Sequence, residues 1–346
     1  MTSSDTFQQE FEHQFKSELS ELEDIRKKLL LKVSAIALFW GLLFLSALLL
    51  VTWKIYQIYI QEFRTSNDYE IILAGIGLTL FFYFLAGLFL YKRRQKMIYK
   101  YLYNGAYAFR YKKELVKKAI PFMLNGFSYD AEAGIPRTDF TQSGFPLFSN
   151  PSRYYSAGAI KGKVGTATFT FAEVLAEEYI RDENSNGQYS DLFRGIFFTV
   201  DFNKNPQWNT LVYPDTVKYF SSFLLGKLSQ EKHFAKGNYQ RVKLEDVEFE
   251  KYFEVYGTDQ TDSRYVLSTA LMARIVDYRK KSKNALQFSF KGAKVYFGIY
   301  YPMEKTLFTP PLMKSVYDLS PLNDYIADVK LMTDIVKELN LNSNVL

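Results

Sequence analysis

Cysteine is absent and only two histidines, His13 and His233, occur in the 346 residues. The first absence excludes disulfide scaffolds, thiolate metal sites and cysteine nucleophiles. The second leaves any Ser-His-Asp arrangement dependent on His233, which lies in a polar stretch and reads as a surface residue. No serine sits in a hydrolase elbow, and internal repeats are lacking. Charge is missing altogether from two 21-residue runs, 33–53 and 71–91. At 1.5 Å per residue each run makes a helix of about 31 Å, the thickness of a bilayer's hydrocarbon core. A cleaved leader is disfavoured, because 32 residues precede the first run and no small-residue cleavage site follows it. Without an ionisable residue in either run, a proton relay or ion pathway has no group to work with.

The remaining composition is that of a folded protein, with 48% hydrophobic, 18% aromatic and 23% charged residues. The basic residues are unevenly placed. Arg26, Lys27, Lys28 and Lys32 precede the first run, and Lys92, Arg93, Arg94 and Lys96 open a basic stretch after the second, whereas the connection 54–70 holds only Lys54 and Arg64. The positive-inside rule then puts both termini in the cytoplasm and the connection outside, as in a multi-pass protein of the cell (inner or plasma) membrane. Residues 92–118 carry ten Lys or Arg against Glu114, so the net charge of +6 is a juxtamembrane feature and the rest of the chain is acidic. That placement argues against a nucleic-acid partner. It makes Lys92, Arg93, Arg94 and Lys96 candidates for contact with anionic membrane lipid, beside their plainer role as a topology signal. The tyrosines interleaved with basic residues over 99–111 fit the headgroup level better than they fit RNA.

Periodicity supplies the next layer. Phe7, Phe11, Phe15, Leu19, Leu22, Ile25 and Leu29 share one helical face, and Ile98, Leu102, Ala106, Phe109, Lys113, Val116 and Ile120 repeat similarly until Pro121. The two stripes either bury each other as an antiparallel stalk or offer a coiled coil to a partner. The expected organisation is a cytoplasmic amphipathic helix over 1–32, transmembrane helices over 33–53 and 71–91 joined by the external connection 54–70, a basic juxtamembrane helix over 92–120 and a cytoplasmic domain over 121–346. Within that domain a hairpin is expected from 154–160 and 166–174, and strands over 193–202, 210–213, 253–257, 285–291 and 294–300. Helices are expected over 216–228 and 263–278, with a last one opened by Ser320-Pro321. The fold class is therefore α+β, a mixed or antiparallel sheet with flanking helices, on an N-terminal two-helix transmembrane hairpin.

Several motifs fail on inspection. Gly162-x-x-Gly165 lies between strands and reads as a hairpin turn, not a phosphate loop. Asp182-x-Asn184-x-Asn186-Gly187 begins like a calcium loop, but Phe193 stands where the bidentate glutamate belongs. Asp259 and Asp262 flank the start of the 263–278 helix; capping by Asp262 is the favoured reading, with an acid-base pair as the alternative. No cofactor or metal is called for.

The segments Phe140-x-x-Ser143-Gly144-x-x-Leu147-Phe148, Gly158-x-Ile160-x-Gly162, Phe171-Ala-Glu173 and Phe193-Arg-Gly195-Ile-Phe-Phe are distinctive. So is Val247-Glu-Phe249-Glu-Lys251-x-Phe253-x-Val255-Tyr256-Gly257-Thr258-Asp259-Gln260, followed by Arg264-Tyr265-x-Leu267. Together they resemble the bacterial family catalogued as domain of unknown function 3137. The resemblance implies a membrane protein with a cytoplasmic domain and carries no established activity or catalytic residue. It also implies association with LemA-type membrane proteins. In the longest motif Phe249 and Phe253 suit core anchors, and Gly257 and Asp259 suit a tight strand-to-helix connection. Arg264, unfavourable in a first helical turn, calls for an acidic partner such as Asp259. The alternative is that Phe249, Phe253, Tyr256, Asp259 and Arg264 form a partner or ligand surface. The functional expectation leans away from an enzyme and toward a membrane-anchored interaction or scaffold protein of unknown pathway. The alternative is a membrane-tethered module or enzyme acting on a lipid or small molecule.

Overall fold

The computed structural model describes residues 3–63, 77, 80–81, 83–85, 87–93, 96, 105–145, 148–181, 187–201, 209–214, 238–282, 284–301 and 308–343. The expected helix over 216–228, the calcium-like segment, His233, Arg94, Ile98 and Leu102 lie wholly or largely outside these residues. The chain divides into two compact units, one of 1–111 with 310–319 and the other of 112–309 with 320–346.

In the first unit α1 (Ser3–Gln14) leads into α2 (Lys16–Phe63), a single helix of 48 residues. No break marks the boundary drawn at residue 32, because neither Gly nor Pro interrupts 16–40. Over Lys16–Lys54 this helix is long and apolar enough to cross a membrane, with mean hydropathy 2.4 in its most apolar window and only 6% of that window buried. Leu38, Phe39, Leu42, Leu49 and Leu50 are all more than half exposed, which a water-facing helix does not tolerate. The described residues of 77–96 are helical and bear similarly exposed Leu80, Phe81 and Phe84. The amphipathic stripe is buried at Phe11, Phe15, Leu19 and Leu22, as its spacing requires.

The segment after 105 departs from its expected stripe. Here α3 (Ala106–Arg110) runs into a π-helical turn (Tyr111–Val116) and then α4 (Lys117–Met123). Val116 and Ile120 of that stripe are buried, but so are Tyr107, Tyr111, Leu115 and Ala119, whereas Ala106, Phe109 and Lys113 are exposed. The wider π turn holds residues four apart in line, and so selects a different face from the one a 3.6-residue period picks out. Pro121 lies inside α4 and does not end it at once. Its missing N–H removes only a bond to Lys117, and the helix closes on Leu124 N–H donating to the Ile120 carbonyl at 2.8 Å.

The second unit is built on one nine-stranded antiparallel sheet. Its strands are β1 (Ser128–Asp130), β2 (Arg153–Val164), β3 (Ala167–Ile180), β4 (Gln188–Asp201), β5 (Asn209–Pro214), β6 (Gln240–Val242), β7 (Phe253–Gly257), β8 (Leu286–Lys291) and β9 (Lys294–Tyr300), in the order β1-β2-β3-β4-β9-β8-β5-β7-β6. The β2–β3 hairpin is longer than expected and turns at Gly165, whose φ of 61° suits a residue without Cβ. Gly162 lies within β2, where a Cβ would stand 2.7 Å from the ring of Phe169; this packing explains the glycine pair that resembled a phosphate loop.

One face of the sheet carries Phe193, Phe197 and Tyr296 and is covered by residues of 133–145, which include α5 (Arg137–Gln142), and by Phe148. Phe140 stacks on Phe148 at 4.3 Å between centroids and meets Phe197 edge-on at 5.1 Å. Removing a fully buried ring such as Phe140 costs about 3 to 5 kcal/mol, so this cluster is a main anchor of the fold. On the other face α8 (Thr269–Ser282) and α9 (Ser320–Ser343) pack together, and Val329, Met332, Thr333 and Val336 line a crevice against Phe169, Phe171, Phe198 and Val200. The crevice is apolar and too narrow for a water molecule. The helix expected over 263–278 is two helices, α7 (Gln260–Val266) and α8, separated at Leu267 and Ser268. The side chain of buried Leu267 turns into the core, and Ser268 Oγ accepts from Leu271 N–H to start α8.

Candidate functional site

The residues singled out around β7 prove to be mostly architectural. Asp246 caps the short helix α6 (Val247–Glu250), accepting from Glu248 and Phe249 N–H at 2.9 Å. Phe249 and Phe253 are 0% and 1% exposed, with rings 4.9 Å apart, so neither belongs to a surface. Tyr256 is half-buried against the aromatic cluster and donates to Glu254 at 3.0 Å. Asp259, not Asp262, is the N-cap of α7; its carboxylate accepts from Asp262 N–H at 2.9 Å. Gly257 is required because a Cβ there would fall 2.0 Å from Ser263 Oγ, which is hydrogen-bonded to Thr210 and to the Asp259 carbonyl.

Arg264 does not need the acidic partner expected of it. Its Nε donates to the carbonyl of Lys243, while Gln260 Nε2 donates to the carbonyl of Arg241. The Arg241 carbonyl belongs to β6, the last strand of the sheet, and the Lys243 carbonyl lies one residue past its end. The motif therefore places a short helix where it covers a sheet edge that would otherwise offer unpaired backbone to another strand.

A different cluster lies exposed, and the sequence reading missed it. Arg153 and Tyr155 on β2 share a face with Glu177 and Tyr179 on β3 and with Tyr189 and Asp191 on β4. The Arg153 guanidinium lies 3.3 Å over the Tyr189 ring, and Tyr179 packs on Tyr189 at 5.1 Å. Tyr155, Tyr179 and Tyr189 remain 63%, 44% and 41% exposed. Arg153 also approaches Glu177 at 4.0 Å, and Arg194 pairs with Asp191 at 2.7 Å. Register shifts interrupt both ladders here, at 157–160 and at 176–177, and such bulges bend strands and re-aim side chains. The available signal was two-residue alternation of Tyr and Arg along adjacent strands. Tyrosine and arginine are the side chains that interfaces concentrate, because they bury large area while fixing few rotors.

In the first unit Glu23 and Arg26, 8% and 7% exposed, form a clasp. Arg26 donates to Glu23 through Nε at 2.9 Å and Nη2 at 2.6 Å, and through Nη1 to the Leu312 carbonyl at 2.7 Å. Glu23 also accepts from Val316 N–H at 3.0 Å and Ser315 Oγ at 3.2 Å, and Tyr107 donates to the Pro311 carbonyl at 2.8 Å. The hydrogen bond from Arg26 is the main cause holding the Glu23 carboxyl at about 2, against the opposing effect of burial. This clasp binds the segment 310–319 to α2 and α3. The sequence pattern offers Arg26 only as a topology signal. Of the membrane-proximal candidates, Lys92 and Lys96 are exposed, and Arg93 lies over the ring of Trp40.

Chemistry of other kinds is thinly represented. Among the described residues no three His, Asp or Glu come together to hold a metal ion. Buried Gln287 accepts from Tyr300 through Oε1 at 3.0 Å while its Nε2 has no partner. Burial pushes the neighbouring Tyr213 hydroxyl well above its ordinary range, so it stays protonated.

No curated protein matches the chain. Among solved structures, the crystal structure of the mycobacterial trehalose monomycolate transport factor A, TtfA, is similar at 9% identity over 66% of this chain and 93% of that chain, with a TM-score of 0.32. Residues 191–341 match the model described as "Protein of unknown function (DUF3137)". The match takes in the Phe193–Phe198 and 247–267 motifs and supports membership of that family.

Proposed function

We propose that this protein is a membrane-anchored interaction or scaffold protein whose sheet domain docks a protein partner from the cytoplasmic side. The observation that carries this reading is the exposed Arg153, Tyr155, Tyr179 and Tyr189 patch. Three large amphipathic rings and a stacked guanidinium concentrated on one strand face are what an interface core uses. The apolar helix Lys16–Lys54 supports the anchor. The uncharged run 71–91 and the basic flanks extend it to a two-helix hairpin with both termini inside. A partner in the same membrane, of the LemA type, fits a domain held near the bilayer.

The test is purification of the full chain from its native membrane in mild detergent, with mass spectrometry of everything retained. The wild type should carry a stoichiometric protein. The triple variant Tyr155→Ala, Tyr179→Ala, Tyr189→Ala should lose it, since each interface hot spot is worth about 2 kcal/mol or more. A lone protein carrying one enriched metabolite or lipid would instead favour a ligand-binding module. Gln287 Nε2, a buried donor without an acceptor, is the observation on that side.

A further inference from the structure

The side chains that join α2 to the described helical residues of 77–96 define a second site. Phe44 stacks on Phe89 at 6.1 Å, and the Arg93 guanidinium lies 3.7 Å over the Trp40 ring. Four residues back along α2 correspond to four residues forward on the second helix, so the two run antiparallel side by side. Trp40 is the eighth residue of the uncharged run 33–53 and Arg93 stands two residues beyond the uncharged run 71–91, so the guanidinium lies at the boundary of the two runs. A cation against apolar segments is costly unless it is paired.

The indole covers one face of the guanidinium and leaves its N–H donors, which lie in the plane of the ion, for another group. Among the described residues Arg93 makes no hydrogen bond or ion pair. Lys92 and Lys96, one helical turn apart, are exposed beside it. The surface next to these cations is apolar: Phe39 is 59% exposed and Phe89 50%. Positive charge with in-plane donors suits phosphate oxygens, and the adjoining apolar surface suits an acyl chain. A free phosphate ion would use only the first of these features.

We propose that Arg93, backed by Trp40 and flanked by Lys92 and Lys96, binds the phosphate of an anionic phospholipid headgroup. The site rests on the membrane-hairpin reading above and deepens it from bulk charge attraction to a defined headgroup position. A purely structural role, in which Trp40 and Arg93 only staple two helices, predicts no dependence on lipid charge.

The full chain with Trp53→Phe and Trp208→Phe leaves Trp40 as the one tryptophan, excited selectively at the red edge where tyrosine does not absorb. It is reconstituted in phosphatidylcholine vesicles containing an equal fraction of either acyl-brominated phosphatidylglycerol or acyl-brominated phosphatidylcholine. Phosphatidylglycerol should quench Trp40 more strongly, and Arg93→Gln should reduce that preference roughly five-fold, the factor expected for one basic group at the headgroup level. Lys92→Gln with Lys96→Gln, which leaves the stacked pair intact, should also weaken it and guards against misfolding of the Arg93 variant. Equal quenching by both lipids, or a preference untouched by either variant, overturns the site while leaving the hairpin standing. Suppression of the preference by inorganic phosphate at constant ionic strength would make free phosphate the ligand and overturn the lipid assignment. No quenching by either lipid would show Trp40 outside the bilayer, and the hairpin reading itself would fall.

Discussion

At the scale of single residues, the Glu23–Arg26 clasp is the most consequential arrangement. It is a buried ion pair whose remaining hydrogen-bonding capacity is taken up by Leu312, Ser315 and Val316. Such a pair contributes little compared with well-packed apolar side chains, but breaking it from one side strands a buried charge. Glu23→Gln should therefore destabilise the protein by about 3 to 5 kcal/mol, and Glu23→Gln with Arg26→Gln should recover part of that loss. Thermal unfolding of the detergent-solubilised chain checks both; equal losses in the single and double variants would refute the account. The pH dependence has a definite sign. The carboxyl is held at about 2 in the folded protein against 4.5 unperturbed, so its contribution is complete above about pH 4.5 and is lost as pH falls toward 2. The pair was not legible in the sequence because an i,i+3 Glu-Arg on a helix is ordinarily solvated. What buries it is a segment nearly three hundred residues away, which no local pattern reports.

At the scale of elements, strand alternation and turn residues made most of the sheet legible. β7 and β9 run where period-two patterning placed them, and β8 differs by one residue. The misreadings share a cause, which is that tertiary contacts override a 3.6-residue period. The π turn shifts the buried face after residue 106, and core-seeking Leu267 splits one expected helix into α7 and α8. The motif over 247–267 was visible as a motif, but its use as an edge cover was not. That use predicts how variants behave. Asp259→Ala removes the cap of α7 and should cost about 1 kcal/mol. Gln260→Ala with Arg264→Ala leaves the cap in place but exposes the carbonyls of Arg241 and Lys243, so it should leave the melting temperature nearly unchanged while raising concentration-dependent self-association. Light scattering during a slow concentration series separates the two. Self-association equal to that of the wild type would show that α7 shields the edge without these two side chains.

At the scale of the whole molecule, the chain's own chemistry makes its membrane topology directly testable. Since cysteine is absent, any introduced cysteine is the sole thiol, and a maleimide that cannot cross membranes reports one position at a time. Ser66→Cys falls in the connection 54–70, which carries only two basic residues, and Glu245→Cys falls at an exposed position of the sheet domain. On the proposed hairpin, the asymmetry of Lys and Arg between this connection and its flanks predicts that the connection faces outward. Intact cells should then label Ser66→Cys and spare Glu245→Cys, and both should react once the cells are permeabilised. The reverse pattern would move the sheet domain and its Tyr-Arg patch outside, where no cytoplasmic partner reaches them. Labelling of both in intact cells would mean that the two uncharged runs do not enclose a bilayer. Labelling of Ser66→Cys alone places the patch, the clasp and the basic residues around Arg93 on one side of the membrane, as a domain that gathers partners at the inner surface requires.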